Sequence, residues 1–156
     1  MSRRELKELV DRLAADDSSW RHLVRHDPNR RNYEQILLDE RVGVWLICWM
    51  DDHDTGFHDH DISSGAVAVV EGHVREERLA VGGEPRSRIY LPGESFSFEA
   101  SDIHRMSHAS GGPAISIHAY SPPLNRMGSY SIDGAGVLHR ASISYEQELR
   151  PAEAAA

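Results

Sequence analysis

The sequence is short of cysteine, of excess positive charge and of long apolar runs, and each shortage narrows what the chain can be. A single cysteine, Cys48, rules out an internal disulfide framework and fits a reducing compartment. No apolar stretch approaches the length of a membrane span. The start, Met1-Ser2-Arg3-Arg4-Glu5-Leu6, turns charged and amphipathic at once, so no signal peptide is expected and the cytoplasm is the expected location. Lysine and arginine total 17 against 25 acids, a net charge of -8, which argues against nucleic acid as a partner. Arginines do cluster at Arg3-Arg4 and Arg30-Arg31, but with acids interleaved. Neither an internal repeat nor a linker divides the 156 residues, so one domain over 1–150 is expected, with 151–156 a frayed tail. What the chain does have is histidine, ten in all.

Leu6, Leu9, Val10 and Leu13 recur at helical spacing and predict a helix from Arg3 to Ala15. Asp16-Asp17-Ser18 stops it and offers capping oxygens to a short second helix carrying Trp20, Leu23 and Val24, so that 1–28 forms a helical lead-in. Beyond Asp27-Pro28-Asn29 the texture changes to short apolar runs split by turn residues. Strands are expected near Tyr33–Leu38, Val42–Trp49, Gly65–Glu71, His73–Leu79, Arg86–Tyr90, Ser95–Phe98, His104–His108 and Ala114–Tyr120. A last hairpin is expected to run from Ser129–Asp133 to Val137–Tyr145. Many short, evenly spaced strands predict an all-β sandwich or barrel, and a jelly roll manages its edges well.

In a strand, residues i and i+2 share a face, so His58 and His60 would present two imidazoles together. His104, from a partner strand, would supply a third, and three neutral imidazoles leave coordination positions open on a first-row divalent metal. Alone, a His-x-His triplet is equally compatible with surface histidines in a loop. By the same parity Ser116, His118 and Tyr120 share one face, so that hydroxyl, imidazole and phenol can form a hydrogen-bonded chain, while Ile115, Ile117 and Ala119 take the other. A strand with polar groups turned to solvent is the blander account, but a metal site explains better a polar face opposite an apolar one. His108 has the same strand parity as His104, so geometry alone does not choose between them. His22, His26, His53, His73 and His139 fall outside these patterns and are read as structural or surface residues.

The stretch from His58 to Gly72 resembles the first motif of the cupins, with two departures. Gly56 lies too near His58 for the motif's opening glycine, and Gly65 stands where the usual glutamate ligand would be. A site of three neutral histidines keeps the full charge of a divalent metal and favours an anionic ligand such as a thiolate. Glycine or cysteine at that slot is similar to the thiol dioxygenases, in some of which the cysteine crosslinks to a tyrosine; with Gly65 no such crosslink forms. Cys48, on the preceding strand, is read as a core residue. The run Ser116-Ile117-His118-Ala119-Tyr120-Ser121-Pro122-Pro123 resembles the same family's Ser-x-His-x-Tyr followed by Ser-Pro-Pro. The chain is thus similar to the cysteine dioxygenase family from Arg31 to Met127.

That resemblance implies a cupin jelly roll holding Fe(II) on His58, His60 and His104, the last selected over His108 because it directly precedes Arg105. It implies a small thiol substrate that binds as thiolate and receives both atoms of dioxygen, giving a sulfinate; L-cysteine is the expected substrate. Tyr120 would donate a hydrogen bond to oxygen or to the substrate carboxylate, with His118 and Ser116 orienting it. Arg31, in Arg30-Arg31-Asn32, is similar to the family's carboxylate-binding arginine, although its distance to His58 is one residue longer than usual. Gln35 and Arg126 resemble the corresponding groups of the enzymes acting on 3-mercaptopropionate and keep that substrate open. Two other readings stand beside these: a non-catalytic cupin that binds a metal or small ligand, and a cupin isomerase or epimerase, which has no need of the Ser116-His118-Tyr120 chain.

Overall fold

The computed structural model describes residues 1–80 and 82–144. The expected frayed tail and the expected hairpin end at Tyr145 lie outside the described residues. Helix α1 spans Arg3–Ala15 and opens on a capping box: the Glu5 N–H donates to Ser2 Oγ at 3.3 Å, and the Ser2 N–H donates to Glu5 Oε2 at 2.7 Å. The expected second helix is instead two 3-10 turns, Asp17–Ser19 and Arg21–Leu23. The Asp16 carboxylate accepts from both the N–H and the hydroxyl of Ser18, which favours a tight turn over a continued helix.

Eleven strands follow among the described residues: β1 (Asn32–Leu38), β2 (Gly43–Trp49), β3 (His58–Asp59), β4 (Ser64–Glu71), β5 (Val74–Arg78), β6 (Arg86–Tyr90), β7 (Ser95–Phe98), β8 (His104–His108), β9 (Ala114–Ser121), β10 (Arg126–Ile132) and β11 (Leu138–Ser144). They form two antiparallel sheets, ordered β1-β2-β9-β4-β7 and β11-β10-β3-β8-β5-β6, the double-sheet jelly roll that the strand pattern predicts. The last hairpin begins earlier than expected, at Arg126, because Gly128 and Ser129 pair with β3. It turns at Asp133, whose side chain accepts the N–H groups of Ala135 and Val137.

Two apolar clusters explain why every residue of β9 is buried. On the outer face of the first sheet, α1 lays Leu6 and Val10 against Val44, Leu46, Cys48, Ile115, Ile117 and Ala119. The inner face carries Ile47, Trp49, Val67, Phe96, Phe98 and Tyr120, packed against Val74, Tyr90 and Met106 of the second sheet. The apolar face of β9 is thus the helix-covered one, and its polar face looks into the barrel. Cys48 lies on the helix side, where burial pushes its thiol pKa up.

Strand β3 has only two residues, and Asp59 fastens it. Its carboxylate accepts the Tyr130 hydroxyl at 2.6 Å, Arg140 Nε at 2.7 Å and Nη2 at 2.9 Å, and the Gly128 N–H at 3.0 Å. Burial alone would raise this carboxyl's pKa, but the bonds from Arg140, Tyr130 and the Asp61 N–H outweigh it and hold the group well below the usual carboxylate range. Gly128 leaves the room: a Cβ there would lie 2.5 Å from Asp59 Oδ2.

Candidate metal centre

His58 and His104 are register partners across β3 and β8, and His60 follows two residues on. Their ring centroids lie 4.8 to 5.0 Å apart, and the three residues offer nitrogens all within 4.8 Å of one another. Each is buried. Two of the three are aimed by hydrogen bonds. His58 Nδ1–H donates to the Gly56 carbonyl at 3.0 Å, and His104 Nδ1–H donates to Glu76 Oε1 at 2.9 Å. In the neutral form of each ring Nε2 is then the lone-pair nitrogen. His104 Nε2 and both nitrogens of His60 have no hydrogen-bond partner although they are buried. Such orphans in a buried site call for a ligand.

The electrostatics agree. Burial first, and the neighbouring His104 next, hold His58 well below the usual imidazole range. Burial, then His58 and His104, do the same to His60. Neutral imidazoles at neutral pH have the lone pairs that a metal takes. His108 is engaged elsewhere: its Nδ1 lies 3.2 Å from Asp51 Oδ1, and its Nε2 lies 2.7 Å from the Gly112 carbonyl. His104, not His108, joins the cluster.

A cavity of about 30 Å³ opens beside the centre, lined by Arg31, Trp45, Ile47, Trp49, Thr55, His58, Met106, His118, Tyr120, Leu124 and Met127. Arg31 is only 8% exposed, and its guanidinium lies 5.6 Å from the centre of the Trp49 ring. Gln35, on β1, and Arg126, at the start of β10, are both exposed and are not among the lining residues.

On β9, Ser116 Oγ lies 2.7 Å from His118 Nε2, and His118 Nδ1 lies 3.2 Å from the Tyr120 hydroxyl. Trp49 extends the chain by donating its indole N–H to Ser116 Oγ at 2.8 Å. Because Ser116 already accepts there, its buried hydroxyl proton is best satisfied by His118 Nε2. The proton of the neutral imidazole then sits on Nδ1 and is donated to Tyr120. Burial, with His104 and Arg31 adding to it, pushes the His118 pKa down to about 3, consistent with a neutral ring. The Tyr120 ring lies 5.4 Å from that of His60, so the chain ends beside the histidine cluster.

Sequence reasoning missed three contributors. Trp49 shares parity with Ile47, and a buried indole N–H needs an acceptor, which was the available signal. Glu76 lies on β5 two residues after the buried Val74, an inward acid flagged by alternation alone. The loop before His58 is tied to β8 by Arg105, whose Nε lies 2.8 and 3.0 Å from the two Asp54 oxygens, and by Thr55 Oγ1, which accepts the Met106 N–H. These long-range ties leave no local pattern.

A family model described as cysteine dioxygenase type I matches residues 2–133. Cysteine dioxygenase type 1 of Danio rerio is 26% identical over 133 residues, covering 77% of this chain and 65% of that protein. The Homo sapiens protein of the same name is 23% identical, over 78% of this chain and 66% of its own length. The matched region thus spans just under two-thirds of these relatives. Among solved structures, a Thermus thermophilus protein gives a TM-score of 0.59 at 19% identity, over 66% of this chain and 93% of that one. A cupin superfamily protein from Desulfitobacterium hafniense gives 0.55 at 13% identity, over 66% and 87%. These structural likenesses show the cupin fold.

Proposed function

The chain belongs to the cysteine dioxygenase type I family, and on that premise we propose that it is an iron(II)-dependent dioxygenase converting L-cysteine to cysteine sulfinate. The observation that carries the reading is a cluster of three buried histidines, one of which, His58, lines a small cavity that Trp49, His118 and Tyr120 of the Trp49-Ser116-His118-Tyr120 chain also line. Iron(II) held by His58, His60 and His104 would favour the thiolate form of the substrate and supply the redox chemistry that joins sulfur to dioxygen. The balance is simple: thiol and dioxygen give a sulfinic acid, sulfur losing four electrons and dioxygen accepting them, with no other reductant.

The protein's own groups bind and orient. Arg31, nearly buried beside Trp49, offers a fixed guanidinium fork to the substrate carboxylate. The apolar walls from Ile47, Met106, Leu124 and Met127 exclude water and strengthen that pairing. Ser116 and His118 hold the Tyr120 phenol so that its oxygen accepts from His118 and its proton is directed to oxygen or substrate. The positions of Arg31 inside the cavity and of Gln35 and Arg126 outside it favour cysteine over 3-mercaptopropionate.

Oxygen uptake by the iron-loaded protein, with cysteine and 3-mercaptopropionate in parallel, tests this. Uptake with cysteine supports Arg31 as the anchor. Uptake with 3-mercaptopropionate alone moves the anchor to Gln35 and Arg126. Bound iron with no uptake from either substrate favours a non-catalytic cupin.

A further inference from the structure

His60 differs from the two histidines beside it. A metal-binding imidazole ordinarily takes its orientation from an acceptor at its other nitrogen. Gly56 serves His58 in this way and Glu76 serves His104, but neither His60 nitrogen has a hydrogen-bond partner, and the residue is 1% exposed. Its faces are occupied instead. Phe98 stacks on the ring with centroids 4.4 Å apart and planes 27° apart, and Tyr120 lies 5.4 Å away at 34°.

Phe98, from β7, is itself 1% exposed and also sits 4.8 Å from the His104 ring. Its register partner is Gly65, the residue standing where a carboxylate ligand is usual. A Cβ built on Gly65 would lie 2.6 Å from Phe98 Cε2, nearer still to Cζ, and 3.0 Å from the Ala119 carbonyl. The aromatic ring therefore fills the volume that a side chain at 65 would enter. Packed among His60, His104 and Phe96, it has little room to swing aside.

We propose that Phe98 is a positioning residue of the metal centre: seated over Gly65, it sets the plane of His60 in place of a hydrogen bond and blocks a fourth protein ligand from position 65. Small at 65 and large at 98 are one device. It keeps the protein's contribution at three imidazoles and leaves the remaining coordination positions to substrate and dioxygen. This rests on the reading of the three histidines as a metal site.

Cobalt(II) binding to the full chain tests it, because the visible spectrum of bound cobalt reports coordination number and geometry as well as affinity. Phe98→Leu and Phe98→Met, each keeping an apolar side chain but losing the flat face, are compared with the wild type. Met serves as well as Leu, so a folding failure in one leaves the other. The expected result is cobalt affinity lowered by about tenfold, within the range for losing a ligand's orienting partner, together with an altered spectrum. In Phe98→Ala combined with Gly65→Glu, the carboxylate enters the vacated volume, and cobalt binds more tightly than to Phe98→Ala alone with a spectrum of higher coordination number. A lower melting temperature with affinity and spectrum unchanged in the folded variants would show that Phe98 only packs the core, and would overturn the proposal. Wild-type protein that binds neither cobalt nor iron would instead overturn the metal reading beneath it.

Discussion

Replacing Glu76 with glutamine removes one charge behind the proposed metal centre and alters almost no geometry. Oε1 of Glu76 receives both the His104 Nδ1–H and the Arg78 Nε–H, each at 2.9 Å, while Oε2 receives the Tyr90 hydroxyl at 3.3 Å. With the carboxamide oxygen in the place of Oε1, both N–H bonds persist. The new amide N–H faces the Tyr90 oxygen, which turns to accept it. Arg78 keeps its bonds to Asp102 and to the Ser97 carbonyl. What is lost is the negative charge that, on the proposed metal reading, makes Nε2 of His104 a more basic ligand. Hydrogen bonds to charged groups contribute about 1.5–3 kcal/mol against about 1 for neutral ones. The expected loss is therefore about 0.5–2 kcal/mol, a roughly 2- to 30-fold drop in metal affinity. Anaerobic competition against a chromophoric chelator, with cobalt(II) and with iron(II), measures it, and a thermal melt of the apo variant checks the fold. Affinity within a factor of two of the wild type would refute the argument that Glu76 acts through His104.

Tyr120→Phe should bind metal as the wild type does and lose most turnover, whereas His58→Ala should lose the metal; full metal content in the His58 variant, measured by elemental analysis, would contradict the ligand assignment. Arg31→Lys keeps the charge but not the planar fork, so a KM about tenfold higher for cysteine is expected from steady-state oxygen uptake. Gly128→Ala drives a Cβ into the Asp59–Arg140 pair and should destabilise the fold by about 1–3 kcal/mol, read as a fall in Tm. Because its native pKa is held below the unfolded value, Asp59 contributes stability above about pH 4 that is lost as pH falls through and below that value. Asp59→Asn should therefore flatten the acid-unfolding curve below about pH 4, and an unchanged slope would remove Asp59 from the account.

Much of this molecule is legible in its strand periodicity. Inward parity grouped Ser116 with His118 and Tyr120, and the structure adds the reason for the apolar opposite face, which is the helix packed on it. The His58-x-His60 pair was legible because the rule of two places both imidazoles on one side, even though only His58 and Asp59 form the strand. Less visible were groups whose meaning depends on distant partners. Asp59 reads as an ordinary acid between two histidines until Arg140, 81 residues on, closes on it. Glu76 is one of 25 acids in the chain, and only its burial beneath His104 gives it a task. Phe98 reads as strand filler; its stacking on His60 and its contact with Gly65 arise from pairing β7 with β4. The second helix was misread because Asp16 and Ser18 close a tight local turn that a spacing of apolar residues does not reveal.

The most direct test of the central claim follows the oxygen atoms. The iron-loaded protein is given L-cysteine under heavy-oxygen-labelled dioxygen in ordinary water, and the product is identified by mass spectrometry. The account predicts cysteine sulfinate carrying label in both oxygens, formed by the wild type and nearly absent with Tyr120→Phe. Label in only one oxygen, or cystine as the sole product, would contradict it.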